Sequence, residues 1–131
     1  WAIKGVLHPE DATIAASLGA KAIFISNHGG RQLDGVPTAL EVLPMFAKVL
    51  KGKTEIFVDG GIRRGTDIIK AILLGANGVL IGKPMVWALA VGGEAGVLKM
   101  MKILEDELRL GMCLLGCSSL KNLDDRYLFN L

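Results

Sequence analysis

Four short apolar runs recur along the chain, and polar or glycine-rich residues follow each of them. The runs occupy residues 1–6, 22–26, 55–59 and 78–82. Runs of this length with such boundaries are typical of β-strands, and continuous apolar character is typical of strands that are buried on both faces. The pattern therefore predicts four buried strands.

Apolar residues recur at helical spacing in the segments between these runs. Helices are predicted at residues 9–18, 38–50 and 66–75, and a long helical segment follows residue 82. Thr38 is a predicted N-cap, and Gly19, Gly52 and Gly75 are placed to end the first three helices. The predicted apolar members of the last segment are Leu98, Met101, Ile103, Leu104, Leu108 and Leu115.

Strand and helix alternate four times with short connections, which predicts parallel βα units and an α/β fold. A doubly wound open sheet and part of a (β/α)₈ barrel both fit this alternation. The barrel is favoured because polar residues follow every strand, as they do where a site is assembled from several strand ends. A full barrel needs about 250 residues. We therefore expect a half-barrel of about four βα units, either a fragment or a unit that pairs to cover its open edges.

Composition narrows the class of protein. The chain has 131 residues, a net charge of +2 and scattered basic residues, which argues against a nucleic-acid-binding surface. No uninterrupted apolar run approaches the length of about 18 residues that a membrane span requires. Cys113 and Cys117 lack a metal-binding spacing, so we expect two buried thiols in a reducing, intracellular compartment. No signal peptide is visible.

A histidine and an arginine lie three residues apart in a glycine-rich loop, at His28 and Arg31. A histidine of near-neutral pKa accepts a proton from a reacting carbon or hydroxyl, and an arginine binds a carboxylate through two parallel hydrogen bonds. Gly29 and Gly30 give the loop backbone angles that other residues avoid. The alternative interpretation is a turn histidine beside a solvated surface arginine.

A second glycine-rich segment, residues 59–67, follows the third strand and opens a helix. Its backbone amides at a helix N-terminus, with Arg63 and Arg64 nearby, predict an anion site, and phosphate is the natural ligand. Gly82 and Lys83 add a glycine and a cation after the next strand. The alternative is a tight turn with surface arginines. Neither segment matches a GxGxxG or P-loop pattern, so a dinucleotide or ATP site has no support.

These segments together resemble the FMN-dependent 2-hydroxy-acid oxidases, the group that contains glycolate oxidase, lactate oxidase, mandelate dehydrogenase and the flavocytochromes. The resemblance rests on Lys4-Gly5, on the specific string Ser-Asn-His-Gly-Gly-Arg-Gln-Leu-Asp-Gly at residues 26–35, and on residues 59–67, 81–84 and 92–94. It extends through most of the chain. It implies the C-terminal half of a (β/α)₈ TIM barrel, with C-terminal helices, as one partial domain over residues 1–131.

The resemblance also implies roles for individual residues. His28 is the catalytic base, and His28 and Arg31 bind the substrate. FMN is held by Lys4, Ser26, Asp59, Gly60, Gly61, Ile62, Arg63, Gly82 and Lys83. The implied reaction is oxidation of an L-2-hydroxy acid to a 2-oxo acid, with oxygen as acceptor and hydrogen peroxide as product. Relatives form tetramers, which implies a homo-oligomer. On its own, Lys4 reads as an ordinary strand-end lysine.

Some features depart from the family pattern. Lys83 stands where family members carry arginine, so we expect somewhat weaker phosphate binding. The first half of the barrel is missing, and with it the family's active-site tyrosines and the aspartate that orients the histidine. The last residues, Phe129, Asn130 and Leu131, differ from the peroxisomal Ser-Lys-Leu signal, so peroxisome and cytoplasm both remain open.

Three functional hypotheses follow. The chain is a piece of an active oxidase or dehydrogenase, or a truncated half-barrel that binds FMN or a partner without independent turnover. A third option is another phosphate-binding FMN barrel, such as an isomerase or a nucleotide dehydrogenase, which the His28 and Arg31 pair disfavours.

Overall fold

The computed structural model describes residues 1–129. Two of the three residues compared with the peroxisomal signal, Asn130 and Leu131, lie outside this range. Strands and helices alternate as β1 (Ala2–Val6), α1 (Pro9–Ser17), β2 (Ala22–Ile25), α2 (Ala39–Leu50), β3 (Glu55–Asp59), α3 (Gly65–Leu73), β4 (Gly78–Leu80) and α4 (Lys83–Leu114). Short 3₁₀ turns follow β2 at His28–Gly30 and follow α4 at Leu120–Asn122 and Asp125–Tyr127. The predicted four βα units are confirmed, with most boundaries shifted by only one or two residues.

All four strands are parallel, and their order in the sheet is β1-β2-β3-β4. Each crossover therefore leads to the next neighbouring strand, and right-handed crossovers of this kind place the helices on one side of the sheet. A doubly wound sheet reverses its strand order at a switch point. The described residues contain no such reversal, which is the order expected in one half of a barrel.

The two faces of the sheet differ. Ile23, Ile25, Ile56 and Val58 are buried in the core against the helices, where Phe46 of α2 is also fully buried. Successive side chains of a strand point to opposite faces, so the neighbouring residues form the other face.

That second face carries Lys4, Phe24 and Phe57 in adjacent register positions. The two phenylalanine rings stack with centroids 5.0 Å apart, but both residues are only partly buried. The prediction of strands buried on both faces is therefore wrong for residues 1–129. The reason is that helices cover one face only, and in a closed barrel the other face points into the interior.

Helix α4 bends sharply at Gly92 and Gly93, where the backbone leaves the helical region. Its second part packs along α3 at two glycines, because a Cβ at Gly65 would lie 2.2 Å from the amide nitrogen of Leu108, and one at Gly111 would lie 2.7 Å from the Cδ1 of Ile69. Glycine at position 65 therefore allows an approach of the two backbones that any side chain would block, whereas a side chain at position 111 would displace the end of the Ile69 side chain.

The apolar face predicted for the last helix is only partly correct. Leu104 is buried, whereas Leu98, Met101 and Ile103 are about half exposed. A helix packs one stripe of residues at a spacing of three or four, and here that stripe runs through Leu104 and Leu108. The prediction of two buried thiols also needs correction: Cys117 is buried, but Cys113 is exposed because it lies off this stripe.

Candidate active site

The carboxyl ends of the strands surround a cavity of about 410 Å³. This volume lies within the range of about 300–1,000 Å³ that is typical of small-molecule sites. The predicted site residues that line it are Lys4, His28, Arg31, Asp59, Gly60, Gly61, Ile62, Arg63, Gly82 and Lys83. Ser26 is the remaining predicted residue, and it lies just behind the cavity wall with 2% of its surface exposed.

Lys4, Ser26 and Asp59 form one polar cluster across three neighbouring strands. The Lys4 ammonium donates to the Ser26 hydroxyl at 2.7 Å and also pairs with Oδ2 of Asp59. The other carboxylate oxygen, Asp59 Oδ1, is buried and has no hydrogen-bond partner within the part of the chain that the structure describes. Because a buried acceptor without a donor costs free energy, this oxygen marks a position where a ligand donor would fit.

Lys4 does not end its strand, as the sequence had suggested, but lies inside β1. Immediately after it, Gly5 has a φ of 95° and the pairing of β1 with β2 shifts register between Lys4 and Val6. This local bulge leaves the Lys4 side chain on the open face of the sheet, within reach of the ends of β2 and β3.

The loop after β2 is shaped by left-handed backbone angles at three consecutive residues, His28, Gly29 and Gly30, with φ values of 56°, 66° and 73°. The Ser26 hydroxyl accepts from the His28 amide at 3.0 Å, and Asn27 Oδ1 accepts from the Gly29 amide at 3.0 Å. These two bonds hold the turn that presents His28 and Arg31 to the same cavity.

The side chains of His28 and Arg31 are exposed and make no hydrogen bond or ion pair with other residues of the range 1–129. A guanidinium without a carboxylate partner remains available for a ligand carboxylate. His28 and Arg31 therefore line the same wall of the cavity, where an imidazole that can accept a proton lies in the same loop as a guanidinium that can bind an anion.

The loop after β3 turns through Gly60 and Gly61, with φ values of 86° and 80°. Ile62 follows as an anchor with 2% of its surface exposed. Beyond Ile62 the amides of Arg63 and Arg64 both donate to Asp67 Oδ2, at 3.0 and 2.9 Å. The amide of Gly65 donates to Glu107 Oε2 at 2.9 Å.

These bonds narrow the predicted anion site. The amides of residues 63–65, which lead into α3, already donate to the chain's own carboxylates, so they are not the donors for a phosphate. The cavity-lining groups that remain available to bind a phosphate are the turn at Gly60 and Gly61, the Arg63 side chain and the start of α4. Gly82 has no side-chain cap above it, and a helix N-terminus carries a partial positive charge that favours anions.

Two neighbouring arginines have different surroundings. Arg63 lines the cavity and its guanidinium carbon lies 5.8 Å from the centre of the Trp87 ring, a cation–π contact. Arg64 instead turns to α4, where its guanidinium binds both carboxylate oxygens of Glu107 at 2.9–3.0 Å. Only Arg63 is therefore placed to meet a ligand.

Lys83 links the start of α4 to the loop after β2. Its ammonium donates to the carbonyl oxygen of Gly29 at 3.2 Å while the residue also lines the cavity. One cation thus lies between the residues predicted to hold a cofactor and the loop predicted to hold the substrate.

Sequence reasoning did not single out Trp87 or Glu107. Trp87 lies one helical turn after Lys83, so helix periodicity could have placed it beside the cavity. Glu107 belongs to the acidic run of residues 105–107, which resembles a solvated helix face. Its contact with α3 depends on how α4 bends and packs, for which no local signal exists.

Other features of the described residues lie away from this cavity. A cleft of about 900 Å³ opens at the amino ends of the strands and is lined by Lys21, Lys51 and Lys53 among others. In barrels that end serves stability, and function is found at the carboxyl ends. Residues 1–129 hold no group of three or more histidine, cysteine or acidic side chains arranged for a metal ion. None of their helices is sufficiently long and apolar to cross a bilayer.

The family model described as FMN-dependent dehydrogenase matches residues 1–130. The chain belongs to the FMN-dependent dehydrogenase family.

Members of this family with curated names resemble the chain closely. L-lactate oxidase of Nostoc sp. is 53% identical over 126 residues, which cover 96% of this chain and 34% of that protein. 2-Hydroxyacid oxidase 1 of Homo sapiens is 50% identical over 121 residues, covering 92% of this chain and 33% of that protein. The chain of this FMN-dependent dehydrogenase family member thus spans about a third of the length of these relatives.

A solved structure agrees in fold. A mandelate oxidase variant with a monooxide FMN adduct superimposes with a TM-score of 0.89 at 47% identity, covering 92% of this chain and 38% of that one. Mandelate oxidase is a TIM-barrel enzyme, so the four βα units of this family member form half of a (β/α)₈ barrel. FMN is the cofactor of the FMN-dependent dehydrogenase family.

Proposed function

We propose that this chain carries the FMN phosphate site and the catalytic base of an enzyme that oxidises an L-2-hydroxy acid to a 2-oxo acid. The observation that carries this proposal is the single cavity of about 410 Å³ on which His28 and Arg31 meet the glycine turn, Arg63 and Lys83. A base, a carboxylate clamp and a cationic cofactor cradle are the groups that such a reaction requires.

The residues present fit FMN. Asp59 Oδ1 is a buried acceptor that lacks a donor among the described residues, and a ribityl hydroxyl supplies one. A Cβ built on Gly61 or Gly82 would meet no atom within 4 Å, so the backbone there borders open space that a ligand can occupy. Arg63 and Lys83 supply positive charge for a phosphate. Lys4, Ser26, Gly60 and Ile62 complete the proposed cofactor set.

Each side chain has a task in the proposed reaction. The Arg31 guanidinium binds the substrate carboxylate and thereby orients the hydroxyl-bearing carbon. His28 accepts one proton from the substrate as the carbonyl of the product forms, and returns it to solvent afterwards. Bound FMN would accept the electron pair and the second hydrogen that the substrate loses, and dioxygen would then take up two electrons and two protons to leave as hydrogen peroxide. Lys4 is the cation of the polar cluster and lines the cavity, where it stabilises negative charge on a bound ligand.

A direct test is to add FMN to the purified full-length protein and then glycolate or lactate without oxygen. We expect the visible absorbance of the flavin to bleach, and readmitted oxygen to restore it with release of hydrogen peroxide. An enzyme that bleaches but reoxidises only with another acceptor is a dehydrogenase. Absence of bleaching with a panel of 2-hydroxy acids, in protein that has bound FMN, would contradict the proposal.

A second candidate function, a half-barrel without independent turnover, is favoured by the open face of the sheet. Phe24 and Phe57 are only partly buried on that face, and Trp1 at its edge has 61% of its surface exposed. We expect the isolated 131-residue chain to bind FMN weakly and to show little bleaching with either acid. Rapid bleaching by the isolated chain would eliminate this second candidate.

Assembly and location are further proposals. We infer a homo-oligomer, a tetramer by resemblance, because several apolar side chains of α4 are exposed, among them Leu98, Met101 and Leu110. Light scattering on the full-length protein tests this. The two free cysteines fit a reducing compartment, peroxisome or cytoplasm, which imaging of the tagged protein distinguishes.

A further inference from the structure

The loop after β3 and helix α4 are joined by Glu107, a carboxylate outside the recognised sequence motifs. One oxygen, Oε2, accepts from the Gly65 amide at 2.9 Å and from Arg64 Nε at 3.0 Å. The other, Oε1, pairs with the second guanidinium nitrogen at 2.9 Å. The Glu107 side chain has only 25% of its surface exposed, so these bonds are partly shielded from water.

The backbone is shaped for this contact. A Cβ on Gly65 would lie 2.5 Å from the Glu107 carbonyl carbon and 2.2 Å from the Leu108 nitrogen. The start of α3 and the second part of α4 therefore lie too close for any side chain at position 65, and the Glu107 carboxylate bonds across this junction. Asp67 accepts from the two preceding amides, so each backbone amide from residue 63 to residue 65 is bonded to a carboxylate of the described chain.

We propose that Glu107 is a positioning residue for the cofactor phosphate, an inference that rests on the proposed binding of FMN in this cavity. Helix α4 begins at the cavity with Gly82 and Lys83, and through Glu107 it also fixes the loop that carries Arg63. The first part of α4, before the bend at Gly92 and Gly93, thus carries one source of positive charge, and the second part positions the loop that carries the other. By occupying the Gly65 amide, Glu107 also keeps an anion away from the start of α3 and leaves the start of α4 as the site for phosphate.

The experiment compares FMN with riboflavin, which lacks the phosphate. Flavin fluorescence is titrated with the full-length protein and with three variants: Glu107→Ala, Glu107→Gln and, as a matched control, Glu105→Gln. Glu105 is a neighbouring carboxylate on α4 that pairs with Arg109 of the same helix. Circular dichroism verifies that each variant is folded.

We expect Glu107→Ala to raise the dissociation constant of FMN about tenfold and to leave that of riboflavin unchanged. Glu107→Gln keeps an acceptor for the Gly65 amide but loses the ion pair, so a smaller change in the same direction is expected, and it decides the matter if the alanine variant does not fold. The control should retain the wild-type preference for FMN.

The outcomes separate the two proposals. Wild-type protein that binds riboflavin as tightly as FMN has no phosphate site, and the proposed function itself fails. Wild-type protein that prefers FMN, with the same preference in both Glu107 variants, overturns the positioning role alone. An equal loss of both flavins also overturns it, because the effect is then a general loss of structure.

Discussion

The loops after β2 and β3 supply the two halves of the candidate active site, and the chain holds them in different ways. The loop after β3 is bound by Asp67 from its own helix and by Glu107 from distant α4. The loop after β2 is held mainly by its own residues, with long-range bonds from Lys4 to Ser26 and from Lys83 to Gly29. His28 and Arg31 remain exposed and unpaired with other described residues.

This difference separates two kinds of task. A cofactor that stays bound needs donors in fixed positions, and a loop braced from two sides provides them. A substrate that enters and leaves needs groups that are not already satisfied by the protein. His28 and Arg31, the side chains proposed to act on the substrate, are therefore left without hydrogen-bond or ion-pair partners among the described residues.

The largest effect should come from the loop after β2. In the full-length protein, His28→Gln removes the proton acceptor, so we expect anaerobic flavin reduction by the substrate to slow about 10²- to 10⁴-fold. FMN affinity should stay unchanged, because the loop after β3 is untouched. Stopped-flow absorbance measures the first quantity and fluorescence titration the second.

The matched control for that variant is His8→Gln. His8 caps α1 through its Nδ1 atom and takes no part in lining the cavity. The His8→Gln variant should reduce the flavin at the wild-type rate. Fast flavin reduction by the His28 variant would assign the proton transfer to another group. It would also contradict the proposal that the loop after β2 serves the substrate while the loop after β3 serves the cofactor.

A smaller effect is expected for Arg31→Lys, which keeps the charge but loses the two-pronged geometry. We expect KM for the hydroxy acid to rise about 10- to 100-fold with some slowing of reduction, again without a change in FMN binding. Arg109→Lys, on an exposed arginine of α4 that pairs with Glu105, is the control. A change in FMN affinity for Arg31→Lys would show that the two loops are not independent.

A change in FMN affinity is instead expected when the contact that holds the loop after β3 against α4 is disturbed. Gly65→Ala places a methyl group against the backbone of Leu108 and forces α3 from α4, at a cost of about 1–3 kcal/mol in the free energy of unfolding. Urea unfolding measures this cost, and FMN affinity should fall with it. Gly92→Ala is the control, because a Cβ there meets nothing within 4 Å. Equal stability of the two variants would mean that the close junction is not a constraint.

The sequence indicated the fold and most of the cavity because the signals for both are local. Glycine and polar residues directly after a strand must lie at its carboxyl end, and parallel strands bring those ends together. The difference between Arg63 and Arg64 could not be predicted in this way. Adjacent residues carry the same charge, and only the packing of α4, which brings Glu107 to Arg64 across 43 residues of sequence, shows which arginine meets the cavity and which binds Glu107. The exposure of Cys113 depends on the same packing.

The smallest effect concerns the far end of the loop after β2, where Thr38 and Glu41 form a capping box at the start of α2. Hydrogen bonds from the Thr38 amide and then from its hydroxyl hold the pKa of the Glu41 carboxyl below its ordinary value of 4.5. A lowered pKa in the folded state means that Glu41 stabilises the fold fully above about pH 4.5 and progressively less as pH falls through the lowered value.

Thr38→Ala removes the cap, and we expect it to lower the free energy of unfolding by about 1 kcal/mol at neutral pH. The difference between wild type and variant should shrink in acid, since protonated Glu41 no longer accepts the same bonds. Thermal unfolding at several pH values below 6 measures both, with Thr13→Ala as a control because Thr13 bonds only to a carbonyl within its own helix. If Thr38→Ala also slows flavin reduction, the cap at this end of the loop helps to set His28, and local bonds then do for the substrate loop what Glu107 does for the cofactor loop.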